Sequence, residues 1–310
     1  MPARDIIAIG ASAGGVDAMQ SLFRTLPADL PAALLVVMHV EPRARSYLPE
    51  ILNATSRIPA AHAREAEPIE PGRAYIAPPD RHLVARSGHI HLSFGPKEQH
   101  QRPSINVTFR SAAQAYRDRV AGVILSGQLD DGTAGLWSIK QCGGVTLVQN
   151  PEEAAFPSMP LSALREIEVD YTLRLAEMGE LLAGLAHGRA ATGASPAGRE
   201  DIQPSLTDLT CPECRGTIWE VPRGSTVEYR CRVGHSYSPR AMLAEHFAAQ
   251  ERTMWAAIVA MEEGAALAER LEPHLGPELR EKLRSEARQR KQQAAEMRRI
   301  LSDRQSFSID

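Results

Sequence analysis

The chain has 310 residues, with 35 Lys or Arg against 38 Asp or Glu, so its formal net charge of −3 gives no general pull toward nucleic acid or an anionic membrane. No apolar run approaches the roughly 18 residues that span a bilayer, and the N-terminus lacks a charged-then-apolar signal pattern. A cytoplasmic protein without membrane insertion is expected, long enough for one substantial domain and something smaller.

From residue 6 to about 175, short apolar runs alternate with stretches of helical periodicity. The runs are IIAI (6–9), LLVVMHV (34–40), AYIA (74–77), GVILS (122–126), GVTLV (144–148) and DYTL (170–173). Continuous apolar character suits strands covered on both faces. Helical candidates at 14–26, 46–54, 104–118 and 133–142 lie between them. The fold class expected is α/β, a doubly wound, mostly parallel sheet. In RHLVARSGHIHLSF (81–94) two runs flank Arg86-Ser87-Gly88, which predicts an antiparallel hairpin added to that sheet. The sheet domain is placed at 1–187. A Gly-, Ala-, Pro- and Ser-rich linker follows at 188–206. Next come a cysteine cluster at 207–240 and a helical hairpin at 241–304, broken at Pro273, Gly276 and Pro277. Leu243, Phe247, Met254, Ile258, Met261, Ala265 and Ala268 share one face of its first helix, and Leu279, Leu283, Ala287, Ala294, Met297 and Leu301 one face of its second.

The stretch IIAIGASAGG (6–15) puts Ser12 on a strand-to-helix turn, where free backbone N–H groups favour negative charge. Two functional readings stay open on this stretch alone, a nucleophilic serine beside an oxyanion hole and a phosphate cradle, next to a plain structural turn. The cradle is weakened because the glycine spacing is not G-x-G-x-x-G. At the same predicted sheet edge, the second strand ends in His39 and the GVILS strand runs into GQLDDG, with Asp130 and Asp131. Serine, histidine and aspartate at three strand ends are the parts of an acyl-transfer triad.

The segments IAIGASAGG, the His39 strand, PGRAYIAPPDRHL (71–83), RPSINVTFRSAA (102–113), GVILSGQLDDGTAGL (122–136) and GGVTLVQNPEEAAFPSMPLSAL (143–164) resemble the catalytic domain of CheB-type protein-glutamate methylesterases, over about residues 4 to 187. The resemblance implies hydrolysis of glutamate methyl esters, and deamidation of particular glutamines, on methyl-accepting chemoreceptors. It maps the nucleophile onto Ser12, the base onto His39 and the aspartate onto Asp131, with no catalytic role for Asp130 and no cofactor for catalysis. The Ala13 N–H is the natural oxyanion donor. Two positions depart from the family pattern: Ala13 replaces a frequent threonine, and Gln128 a frequent methionine three before the aspartate. The regulatory receiver domain common in the family is not at the start of this chain, so that control is expected to be absent or supplied by a separate signalling or receiver protein. A rival reading is an idle signalling scaffold whose C-terminal module binds a partner.

That module carries Cys211-x2-Cys214-x16-Cys231-x3-His235, two knuckle-like pairs separated by strand formers. In a cytosolic chain this pattern predicts a zinc ribbon with a structural, fully protein-ligated zinc. The nine Lys or Arg against five Asp or Glu in 278–304 read as a solvated helix face rather than a nucleic-acid surface, for want of interleaved aromatics.

Overall fold

The computed structural model describes residues 3–189, 203–223 and 226–302. The chain divides into two compact units, Met1–Pro239 and Arg240–Asp310. The first opens with β1 (Ile6–Ala11), α1 (Gly15–Thr25), β2 (Ala33–Met38), α2 (Leu48–Thr55), β3 (Ala60–His62) and β4 (Arg73–Ile76). A hairpin of β5 (His82–Arg86) and β6 (His89–Ser93) leads into α3 (Ile105–Tyr116), β7 (Val120–Ile124), α4 (Thr133–Gln141) and β8 (Val145–Gln149). Then follow α5 (Ser158–Glu166), β9 (Tyr171–Leu173) and α6 (Leu175–Ala186). Four short strands, β10 (Ser205–Thr210), β11 (Thr217–Arg223), β12 (Thr226–Cys231) and β13 (Ser236–Tyr237), make an antiparallel ribbon.

Seven strands form one sheet in the order β3-β4-β2-β1-β7-β8-β9, and every pairing in it is parallel. Side chains alternate across a strand, so each central strand feeds two cores. Ile7, Ile9, Leu34, Val36 and Val123 pack with Met19, Leu22 and Phe23 of α1 and with Met178 and Leu182 of α6. Ile6, Ala8, Leu35, Val37 and Ile124 pack with Ile105 and Phe109 of α3 and Leu136 and Ile139 of α4. Two-sided burial is why these strands read as continuous apolar runs. The chain leaves β1 for β2 on one side and later returns to place β7 on the other. The loops after β1 and β7 therefore diverge and open a crevice at their carboxyl ends.

The expected antiparallel hairpin is present, but as a sheet of its own: β5 and β6 pair with each other, and the 66–69 segment runs along β6, with the Ala66 N–H donating to the Ile90 carbonyl at 2.9 Å and the Ile90 N–H to the Glu67 carbonyl at 2.8 Å. The backbone of β5 is satisfied from α3: Thr108 Oγ1 donates to the Leu83 carbonyl at 2.7 Å, and the Ala85 N–H donates to Ser111 Oγ at 3.0 Å. The central part of the expected linker, residues 190–202, lies outside the described residues, while Ser205 and Leu206 already belong to β10.

Chain entering the second unit forms α7 (Pro239–Leu271), followed by α8 (Pro277–Ser302). Ion pairs Arg298–Glu262, Lys291–Glu269 and Arg284–Glu272 run in opposite chain directions, so the helices are antiparallel, with Ala265, Ala268, Ala287 and Leu283 packed between them. Leu243 and Leu279, expected on the apolar stripes, are exposed, and residues 303 and 304 lie outside the described residues. Among the described residues no helix is long and apolar enough to cross a membrane.

Candidate active site

Ser12, Ala13 and Gly14 make the turn between β1 and α1. Gly14 has φ 69, and a Cβ there would meet Ser126 Oγ at 2.8 Å and Ala155 Cβ at 3.0 Å, so the position needs glycine twice over. Ser126, just past β7, fastens the turn. Its carbonyl accepts the Ser12 N–H at 3.0 Å, and its Oγ donates to the Ala13 carbonyl at 2.8 Å while accepting the Phe156 N–H at 2.9 Å. The N–H groups of Ala13 and Gly14 make no hydrogen bond among the described residues and stand at the start of α1, where the helix dipole favours an anion.

His39 follows β2 and its ring spans the crevice. Nδ1 lies 3.1 Å from Ser12 Oγ, and Nε2 lies 2.7 Å from Asp131 Oδ2. With the Asp131 carboxylate as acceptor, Nε2 carries the proton and Nδ1 is left with a lone pair toward the serine. The structure thus brings Ser12, His39 and Asp131 into one hydrogen-bonded row.

Asp131 is only 2% exposed and is held by the first turn of α3. Oδ1 accepts Ser104 Oγ–H at 3.0 Å and the Asn106 N–H at 3.1 Å, and Oδ2 accepts the Ile105 N–H at 2.8 Å as well as His39. Burial pushes this carboxyl up, but the His39 hydrogen bond and charge and the Ile105 and Asn106 N–H groups outweigh it, so it stays below the usual aspartate value. Asn106 also accepts the Gly132 and Gly135 N–H groups at 3.0 and 2.7 Å, which ties the start of α4 to the start of α3. Behind them His82 accepts the Ser104 N–H on Nδ1 at 3.2 Å and donates from Nε2 to the Pro96 carbonyl at 2.9 Å. Burial lowers the His82 pKa and keeps it in the neutral form this pattern requires.

None of Ser104, Asn106, Ser126 and His82 stands out in the sequence as a site residue. The usable signal was local: a serine before an apolar helical run is an N-cap pattern, and an N-cap turn is where a buried carboxylate finds backbone donors. Gly127 was also missed. A Cβ there would stand 3.0 Å from Ser12 Cβ and overlap Met159 Sδ. Gln128, the next residue, is exposed, and its side chain makes no hydrogen bond among the described residues.

Asp130 is 4% exposed and neighbours Glu166, whose carboxyl is pushed up to about 7 by burial and by the Asp130 charge. A raised carboxyl stabilises the fold in full below its unfolded value of 4.5, and that contribution is lost as pH rises through about 7. Glu166→Gln is therefore expected to melt like the parent near pH 4.5 and above it at pH 8. Parallel melting curves at both pH values would refute the assignment.

In the ribbon, Cys211, Cys214, Cys231 and His235 bring their ligand atoms within 4.8 Å of one another, and all the cysteines are free thiols. Cys214 Sγ lies 3.6 Å from Cys231 Sγ, and His235 Nδ1 lies 3.4 and 3.7 Å from the sulfurs of Cys231 and Cys211. A tetrahedral site with Zn–S near 2.3 Å and Zn–N near 2.0 Å has edges of about 3.8 and 3.5 Å, so the donor set fits zinc. His235 Nε2 donates to Glu213 at 2.8 Å, the outer hydrogen bond that fixes a metal-ligating imidazole.

Residues 7–182 match the family model described as CheB methylesterase. A protein-glutamate methylesterase/protein-glutamine glutaminase of Pectobacterium atrosepticum is 39% identical over 190 residues, covering 60% of this chain and 54% of that protein. One of Methanosarcina acetivorans is 39% identical over 185 residues, 57% of this chain and 52% of that protein. A protein of Leptospira interrogans is 38% identical over 178 residues, 57% of this chain and 92% of its own length. The chain thus spans about half the length of the first two. The crystal structure of the Thermotoga maritima CheB methylesterase catalytic domain superposes with TM-score 0.56 at 33% identity, over 58% of this chain and 98% of that one. The matched stretch holds the whole parallel sheet and the Ser12–His39–Asp131 row and makes up more than half of the sequence; the chain belongs to the CheB methylesterase family.

Proposed function

We propose that this protein is a cytoplasmic serine esterase that removes methyl groups from glutamate methyl esters of a chemoreceptor, and deamidates receptor glutamines by the same steps. The observation that carries the reading is the unbroken row from Ser12 Oγ through His39 to Asp131 at the mouth of the sheet crevice. His39 Nδ1 takes the Ser12 proton as Oγ attacks the ester carbonyl, and Asp131 holds the Nε2–H and stabilises the imidazolium. The oxyanion is received by the Ala13 N–H, with Gln128 at the lip of the site. A donor of this kind contributes on the order of 3 kcal/mol to lowering the barrier. Methanol, or ammonia from a glutamine, leaves with the proton carried by Nδ1. Water then gives its proton to Nδ1, attacks the acyl-enzyme and releases the glutamate carboxylate and the serine.

Incubation with receptor membranes carrying labelled methyl esters is expected to release labelled methanol. No release above the rate of membranes alone would overturn the reading.

The Cys3His set is read as a structural zinc site. It supplies folding free energy to a small ribbon, and no step of the ester chemistry passes through it. Metal analysis is expected to find one zinc per chain, and a folded ribbon without metal would refute the site.

A further inference from the structure

We infer that the ribbon is a zinc-dependent brace on the catalytic half, which fixes the first turn of α3 and through it Asp131. The inference rests on the esterase reading only for its kinetic consequence. The ribbon lies outside the 7–182 match and inside the same compact unit as the sheet. It is joined to the segment between β6 and α3 by backbone and side chain alike. The Gln99 N–H donates to the Ser236 carbonyl at 3.0 Å, and His100 packs its ring 5.8 Å from that of Tyr237.

Two charged links add to this. His235 Nε2 and His100 Nδ1 both reach Glu213, at 2.8 and 3.3 Å on its two oxygens, so one carboxylate ties a metal-ligating imidazole to the catalytic half. Arg110 of α3 stands between Glu98 and Glu228, bonding the first and lying 3.6 Å from the second, which belongs to β12. Glu98 and Glu228 are 7% and 4% exposed, so neither is a screened surface charge. Buried ionic contacts fix position more surely than they add stability.

The position they fix matters because Arg110 is one helical turn beyond Asn106, whose N–H and side chain hold Asp131 and the start of α4. The Asp131 hydrogen bonds come from Ser104, Ile105 and Asn106, directly after the segment the ribbon clasps. A shift of that turn moves the carboxylate that orients His39. Arg110 is a positioning residue in this arrangement. Zinc orders the knuckles that present Glu213 and the β12–β13 turn.

The test uses the full chain with zinc as the probe. Hydrogen exchange of the 103–110 backbone is measured in zinc-loaded protein, in chelated protein and after zinc is restored, together with kcat and KM on the methylated receptor. Chelation is expected to raise exchange in 103–110 and lower kcat about tenfold with KM unchanged, and zinc to reverse both. Arg110→Met with zinc retained is expected to reproduce the same split, and Arg110→Lys to recover part of it. This variant keeps the idea testable if chelation unfolds more than the ribbon. Exchange in 103–110 that is the same in Arg110→Met as in the parent overturns the brace, and so does a kcat that rises on chelation. The exchange readout needs no turnover, so failure of the brace is distinguishable from absence of esterase activity.

Discussion

Asp131→Asn is expected to lower turnover on methylated receptor about 10⁴-fold while leaving a folded protein. The carboxylate faces donors only: Ser104 Oγ–H and the Asn106 N–H on one oxygen, the Ile105 N–H and His39 Nε2 on the other. An amide must set an NH2 against one of these sides. Placed at Oδ2, it confronts the Ile105 N–H 2.8 Å away and forces His39 Nε2 to become an acceptor. The imidazole proton then moves to Nδ1, 3.1 Å from Ser12 Oγ, and the serine loses its base. Flipping the amide transfers the conflict to the Asn106 N–H, 3.1 Å from the other oxygen, since the Ser104 hydroxyl can turn to accept, and it still removes the negative charge that stabilises the His39 imidazolium. The unmatched buried donor is expected to destabilise the fold by about 1–3 kcal/mol, visible as a lower melting temperature. Ser12→Ala is expected to lose more turnover, about 10⁶-fold, with no such change in melting, because Oγ makes no bond that the fold requires. Turnover within tenfold of the parent for either variant would remove the triad from the mechanism.

Most of the fold was legible because two-sided burial writes strands as apolar runs. IIAI, LLVVMHV and GVILS fall on β1, β2 and β7, and the same reasoning located the crevice at which Ser12, His39 and Asp131 meet. What escaped was written in other terms. β3 is three residues, Ala60–His62, too short to show a period. The start of α5 is masked by Pro157 and Pro160, which a helix tolerates in its first turn where the N–H groups have no partner. The hairpin was legible as a hairpin, but its seat against α3, apart from the parallel sheet, depends on Thr108 and Ser111, which reach its backbone from 25 and 26 residues away. The supports of Asp131 were illegible for the same reason. Ser104 and Asn106 act through helix-start geometry, and only the folded chain brings that helix start to the loop after β7.

Gly127→Ala is the second change with a large expected effect, about 10²-fold in kcat. The alanine Cβ would stand 3.0 Å from Ser12 Cβ, tighter than ordinary van der Waals contact, and would overlap Met159 Sδ. Met159 can swing its thioether aside, at an overpacking cost of about 1–3 kcal/mol, since it is wholly buried in the core beneath the site. Ser12 has no such freedom. Its N–H is held by the Ser126 carbonyl, and its own carbonyl accepts the Gly15 N–H at 2.9 Å. Gly127 itself is pinned on both sides, its N–H to the Phe156 carbonyl at 2.9 Å and its carbonyl to the Met159 N–H at 3.0 Å. The strain must therefore appear as a turned or displaced Ser12 side chain, and an attacking atom misplaced by about 1 Å costs turnover on this scale. KM is expected to change little, because the added methyl lies beneath Ser12 and touches Ser12 and Met159. Met159→Ala in the Gly127→Ala background separates the two contributions: it is expected to relieve the overlap but leave kcat low, since the contact with Ser12 remains. Recovery of kcat in the double variant would instead place the whole effect in core packing and remove Gly127 from the positioning of the nucleophile.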